Sequence, residues 1–215
     1  MAGGASLARG DDGRRRCRWG GSTPDYLGYH DDEWGRPVTD DRGIYERLVL
    51  EGFQSGLSWL TILRKREGFR AAFANFEIDA VARFGRRDIR RLLADASIVR
   101  HRGKIEAAIA NAKAAAALDV PLAQLVWSHA PAGRRRAPRD MSDLPAITPE
   151  STALSKELKR RGFRFVGPTT AYAAMQACGI VNDHLAGCWV RAEVERERRA
   201  TILRAGWMNE RSPSA

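Results

Sequence analysis

Apolar positions recur along most of this chain at three- and four-residue intervals. That spacing gathers side chains into one stripe of a helix. Ile44, Leu48, Val49 and Gly52 form the first stripe, which opens after the cap candidates Thr39, Asp40 and Asp41. Leu57, Leu60, Thr61 and Leu63 continue it, and residues 69–76 and 89–93 follow. Residues 104–118 are rich in alanine, which loses least on entering a helix. Residues 151–161 predict another helix, stopped by Gly162. Residues 168–178 predict the next, with Pro168 in its first turn. Strict alternation of apolar and polar residues is nearly absent. The pattern predicts an all-α fold.

The pattern also suggests an organisation. Residues 1–15 hold Gly, Ser, Asp and Arg with almost no large apolar side chains, and read as a disordered leader. Residues 16–190 read as one domain. Residues 191–215 alternate Glu and Arg before ending in Asn, Ser and Pro, and read as a charged tail whose helix is solvated and frays. Pro, Arg and Asp mark 129–146 as a loop. No internal repeat is visible. No apolar run is long enough to cross a bilayer, and the N-terminal segment lacks the apolar centre of a secretory signal, so the expected place is the cytoplasm with no membrane partner.

Composition changes this picture in two ways. Lys and Arg number 36 against 26 Asp and Glu, a net charge of +10. That excess fits a polyanionic partner, and equally a solubilising surface. The three cysteines, Cys17, Cys178 and Cys188, are too few and odd in number for a disulfide framework. Cys178 falls on an apolar helix face and reads as core.

Cys17 and His30 lie near one end of the chain, and His184 and Cys188 near the other. The second pair is spaced i, i+4, which aims both side chains one way on a helical turn. Thiolate and imidazole suit zinc. Spacing alone leaves both readings open, a zinc site or unrelated buried polar groups. If all four are ligands, the shell is closed and the site structural.

Residues 151–178 read helix, short glycine turn, helix. Such a hairpin offers backbone N–H groups to a phosphate of duplex nucleic acid, with Lys159, Arg160 and Arg161 adding charge. An ordinary helical corner looks the same. Trp19, Tyr26, Tyr29, Trp34 and Trp59 supply flat faces, as core or as a place to stack an extruded base. Glu51 follows Leu48-Val49-Leu50 and precedes Gly52 inside an apolar helix. A carboxylate there is costly, so Glu51 is either paired or functional. Glu33, Glu67 and Glu106 read as surface or capping residues.

The runs Cys-x-Trp at 17–19, Tyr-His-Asp-x-Glu-Trp-Gly at 29–35 and Leu-Glu-Gly-x-Gln-x-Gly-Leu-Ser-Trp at 50–59 lead a longer series. Arg-His-Arg-Gly-Lys-Ile at 100–105, Ser-Lys-x-Leu-Lys-x-Arg-Gly-Phe-x-Phe-Val-Gly at 155–167 and Met-Gln-Ala-Cys-Gly-x-Val-Asn-Asp-His at 175–184 complete it. Together, over residues 16–189, they resemble the DNA-3-methyladenine glycosylase I family. The resemblance implies a helix-hairpin-helix glycosylase fold whose N- and C-terminal segments are joined by one structural zinc on Cys17, His30, His184 and Cys188. It implies a repair enzyme that hydrolyses 3-methyladenine from double-stranded DNA, with 3-methylguanine an open extension of its range; a monomer is expected. Glu51 is then the carboxylate that meets the base. Tyr29, Trp59, Tyr26 and Trp34 bound its pocket, with Trp19 beside them. Lys159, Arg161, Gly162, Gly167 and Thr169 face the DNA backbone.

The leader and the tail have no counterpart in the family pattern, and Phe53 stands where some members carry a polar residue, which bears on the pocket wall. Asp183 lies where relatives in the wider superfamily place a catalytic carboxylate. Beside His184, it is expected to support the metal site instead. Broader alkylpurine excision keeps the same fold. A non-catalytic zinc-stapled lesion sensor is the reading from another class, and Glu51 with its aromatics argues against it.

Overall fold

The computed structural model describes residues 6–133 and 136–205. Strands β1 (Leu7–Arg9) and β2 (Arg15–Cys17) pair antiparallel, with Leu7 opposite Cys17. Helices follow: α1 (Pro24–Gly28), α2 (Asp41–Gln54), α3 (Trp59–Ala72), α4 (Ile78–Ala82), α5 (Arg86–Ala94), α6 (Arg102–Ala116), α7 (Leu122–Trp127), α8 (Pro149–Arg160), α9 (Pro168–Ala177) and α10 (Arg191–Ala205). The fold is mostly helical, as expected, with one small sheet that the sequence did not announce. Three residues per strand, half of them arginine, carry no legible two-residue period. So residues 7–15, expected as part of a disordered leader, belong to a paired ribbon. Residues 1–5 of that leader and 206–215 of the tail lie outside the described residues. Among the described residues, no helix is long and apolar enough to cross a membrane.

The chain forms two compact units. One comprises Asp40–Ala123 and Ala146–Ala174. Its helix α2 is capped by Asp40, whose carboxylate accepts from the Gly43 amide at 2.8 Å. From Gly43 to Phe53 nearly every residue of α2 is buried, as in a helix enclosed on all sides. Ala107, Ala108 and Ala112 keep the face of α6 low, and α2 and α4 pack against that helix. Tyr45 Oη donates to the Ala108 carbonyl at 2.9 Å. Phe53, Phe69, Phe73 and Phe76 join edge-to-face and stacked, with centroids 4.7–6.2 Å apart. Phe53 is thus packed in this core. The pattern predicted a helix over 69–76, but α3 ends at Ala72 and residues 74–76 take left-handed φ values of 50–58°. The apolar period survives that turn because Phe73 and Phe76 point into the same core.

The other unit comprises Met1–Thr39, Gln124–Pro145 and Met175–Ala215. Its core holds Cys17, Leu185, Cys188, Val190 and Val194, with Leu7, Trp19 and Trp189 against them. Trp189 N donates to the Arg15 carbonyl at 2.9 Å, and Arg14 lies 4.0 Å over the Trp189 ring. Helix α10 is less solvated than expected. Val194, Arg198, Thr201 and Ile202 are buried, and Arg198 Nε donates to the Ile180 carbonyl at 2.7 Å.

Candidate functional site

The ends of the chain meet in four side chains. Cys17 closes β2, and His30 sits in a single wide turn, Tyr29–Glu33. His184 and Cys188 lie on irregular turns, not on the helical turn their spacing suggested. Here backbone groups bond outward: Leu185 N donates to Cys17 Sγ at 3.3 Å, and the Arg191 guanidinium donates to the carbonyls of Asn182 and His184. The four ligand atoms lie within 4.8 Å of one another and all four residues are buried. Cys188 Sγ is 3.5 Å from His30 Nε2 and 3.7 Å from His184 Nδ1, and Cys17 Sγ is 4.0 Å from His184 Nδ1. A tetrahedral ion with two sulfur and two nitrogen ligands needs S···N edges of about 3.6 Å. The group can hold a metal ion.

The surroundings fix both imidazoles. His30 Nδ1 is 2.7 Å from Asp31 Oδ1, and His184 Nε2 is 3.0 Å from the Trp34 carbonyl. Each ring thus turns its other nitrogen to the thiols. Burial lowers the His184 pKa and keeps that ring neutral, the ligating form. Contact with Cys17 pushes the Cys188 thiol down, and the Cys17 thiol rises correspondingly. Burial alone would raise Asp31, but Arg16 and His30 hold it below the usual carboxylate range. Arg16 reaches Asp31 through Nε at 3.0 Å and Nη2 at 2.8 Å, and Trp189 Nε1 donates to it at 3.2 Å. Gly20 leaves room for this arrangement: a methyl there would stand 2.4 Å from His30 Cγ. Gly35, at φ +81°, passes under His184 in the same way.

Around His30 the aromatics cluster. Trp19 meets Tyr26 at 5.6 Å, Tyr29 at 6.4 Å, His30 at 5.1 Å and Trp34 at 5.0 Å between centroids. Four of the five predicted aromatics are thus one assembly. Trp59 belongs to the other unit, at the first turn of α3.

Glu51 lies on α2 in that unit, 6% exposed. Burial pushes its pKa up to about 8, and Arg47 pulls weakly the other way. Its neighbour Glu46 is just as buried, but accepts from Arg70 Nε at 2.8 Å. Among the described residues, no donor bonds the Glu51 carboxylate. One helix thus carries a paired buried acid and, five residues on, an acid held without a donor.

Helices α8 and α9 flank the predicted hairpin. Thr148 and Ser151 cap α8 reciprocally, at 3.1 and 2.9 Å. Gly162 takes φ +92° and Phe165 φ +54°. Asn111 holds the turn through both backbone groups of Arg164, at 2.7 and 3.0 Å, and Ser155 Oγ donates to the Val166 carbonyl at 2.6 Å. Lys159, Gly162 and Thr169 are exposed and Gly167 is half-buried. Arg161 is engaged by Glu157 and Asp119.

Comparison with known proteins agrees with this geometry. A family model described as methyladenine glycosylase matches residues 19–192. The chain belongs to that family. DNA-3-methyladenine glycosylase 1 of Escherichia coli is 48% identical over 179 residues, 80% of this chain and 95% of that one. A crystal structure of a 3-methyladenine DNA glycosylase I superposes with a TM-score of 0.78 at 47% identity, covering 81% of this chain and 98% of that one. The Staphylococcus aureus enzyme, solved to explain its recognition of 3-methyladenine, gives 0.78 at 36% identity, over 82% and 96%.

Two residues of this methyladenine glycosylase escaped the sequence reading. Asp31 was hidden in the acidic run Asp31-Asp32-Glu33, where nothing marks it as the one that turns inward. Lys104 lay inside a quoted motif without a role. Asp183 is buried and accepts from Gln176 Nε2 at 2.9 Å.

Proposed function

We propose that this glycosylase hydrolyses the N-glycosidic bond of 3-methyladenine in alkylated double-stranded DNA, and that Glu51 is the carboxylate that meets the base. The observation that carries this reading is the Glu51 side chain, desolvated and without a donor in a member of this family. Methylation at N3 leaves the base formally cationic and already a good leaving group. The base accepts the electron pair of the C1′–N9 bond and departs neutral. Water adds to C1′ and gives its proton to solvent. A desolvated carboxylate favours a cation strongly and a neutral adenine little, so Glu51 discriminates by charge. Stacking contributes roughly 1–3 kcal/mol per base, and Tyr29, Tyr26, Trp34, Trp19 and Trp59 are the candidate rings.

Cys17, His30, His184 and Cys188 hold zinc in this reading, because two thiolates and two imidazoles are a zinc donor set. Such an ion is filled by protein, and its contribution is to tie the chain ends. The hairpin grips a DNA phosphate through backbone N–H groups near Gly162, Gly167 and Thr169, aided by Lys159 and Arg161. The enzyme acts as a monomer.

Incubation with methylated duplex DNA tests the reaction, with released bases separated and quantified. Free 3-methyladenine from the parent chain and at least a hundredfold less from Glu51→Ala is the expected result. Release of 3-methylguanine or 7-methylpurines at comparable rates would redraw the substrate range. No base from a folded parent that binds DNA would return the chain to the lesion-sensing class.

A further inference from the structure

The hinge between α2 and α3 is short and exposed. Residues 55–58 face solvent, Gly56 takes φ +79°, and Leu57 N donates to the Gln54 carbonyl at 2.7 Å. On one side of this turn stands Glu51, one helical turn back along α2. On the other stands Trp59, the first residue of α3. A helix of fourteen residues ends here with unsatisfied carbonyls. The Lys104 ammonium satisfies two of those carbonyls. Its Nζ donates to the Phe53 carbonyl at 2.8 Å and the Ser55 carbonyl at 2.5 Å.

We propose that Lys104 is a positioning residue for base excision, holding the α2–α3 turn so that Glu51 and Trp59 keep one fixed relation. This rests on the reading of Glu51 and Trp59 given above. A cation at a helix C-terminus meets the negative end of the helix dipole, so a charged amine is favoured over any neutral donor. Lys104 is only 8% exposed, and burial lowers its pKa. A lysine kept for solubility would not be desolvated there. The base of Lys104 is itself fixed: its amide donates to His101 Nδ1 at 3.2 Å, the cap of α6. The same two helix ends are also joined by Phe165. A methyl on Gly52 would stand 3.4 Å from Phe165 Cβ, and one on Gly103 4.0 Å from Phe165 Cζ. Helix α6 is thus the frame, and the lysine is the tie from that frame to the turn.

Lys104→Met keeps the apolar stem and removes the tie. Its single-turnover excision at saturating enzyme should fall about tenfold to a hundredfold, the range expected when reacting groups are misplaced by about an ångström. Affinity for uncleaved lesion DNA, and its salt dependence, should stay within twofold of the parent. Lys104→Arg, which restores charge and donors, should recover most of the rate. An unchanged rate in Lys104→Met contradicts the proposal. So does a salt slope reduced by about one, which marks a direct phosphate contact. If Lys104→Met does not fold, Lys104→Arg decides: near-parental excision sustains the tie, and a folded, inactive protein refutes it. The parent runs in the same assay, so a parent without activity speaks against the Glu51 reading, and an active parent with an equally active variant speaks only against Lys104.

Discussion

Glu46 and Glu51 show how much one partner changes. Both are buried on α2, and only Glu46 has a guanidinium donor. With its pKa at about 8 in the fold against an ordinary 4.5, Glu51 favours folding while protonated. That contribution is complete below pH 4.5 and is lost as pH rises toward 8, because the folded state then must ionise a desolvated acid. The full difference is on the order of 5 kcal/mol. Glu51→Gln should therefore raise the melting temperature at pH 9 by several degrees and change it little at pH 4, in a pH series of thermal melts. Equal shifts at both pH values would remove the desolvated-acid account. Gly20→Ala makes a second residue-scale test. The 2.4 Å clash with His30 should turn that ring away, and metal content measured by elemental analysis should fall well below one ion per chain. At this scale the sequence was informative where apolar neighbours framed a charge, as around Glu51. It was silent where an acid stood among acids. Asp31 becomes distinctive only through the fold, which brings Arg16 and the distant Trp189 onto it beside its chain neighbour His30.

Among the elements, the start of α2 was legible because its cap, Asp40, is local and bonds an amide three residues on. Ser58 before α3 and Thr148 before α8 cap in the same way but were not read from the sequence, where α8 was expected to start at Ser151. Helix ends were less legible. The apolar period runs past Ala72 although the backbone reverses hand at 74–76, since core packing constrains side chains more than φ. The i, i+4 spacing of His184 and Cys188 misled for the same reason: convergence on one point came from turns, not from a helix. The turn between α8 and α9 was visible from Gly162 and Gly167, but the left-handed Phe165 was not, because its cost is offset by Asn111 and Ser155. The hairpin's role has its own test. Lys159→Ala should weaken DNA binding about equally for lesion and normal duplex, and reduce the slope of log affinity against log salt by about 0.9. A loss confined to lesion DNA would move Lys159 from backbone grip to base recognition.

Taken whole, the molecule draws one unit from three separate stretches of sequence and closes it where β2, the turn at His30 and the segment 184–188 converge. The spacing of the four residues left this closure open and the family resemblance implied it, while the two-unit division was not legible, because it follows three-dimensional contacts and not composition. A metal that binds only the folded chain stabilises it by roughly 4 kcal/mol when free ion exceeds its dissociation constant about a thousandfold. A strong chelator should therefore lower the melting temperature and raise amide exchange first in residues 15–34 and 180–205. Unaltered melting and exchange would leave the four ligands without a structural task. A charge of +10 would add salt-sensitive attraction to DNA but no selectivity, which rests in the proposed function on the buried acid. Carboxyl carbon-13 NMR of Glu51, titrated from pH 4 to 10 with and without a cationic purine, measures that acid directly. A midpoint near 8 in the free enzyme and a lower one with the cation bound is the expected result. A midpoint near 4.5 that ignores the ligand would contradict it.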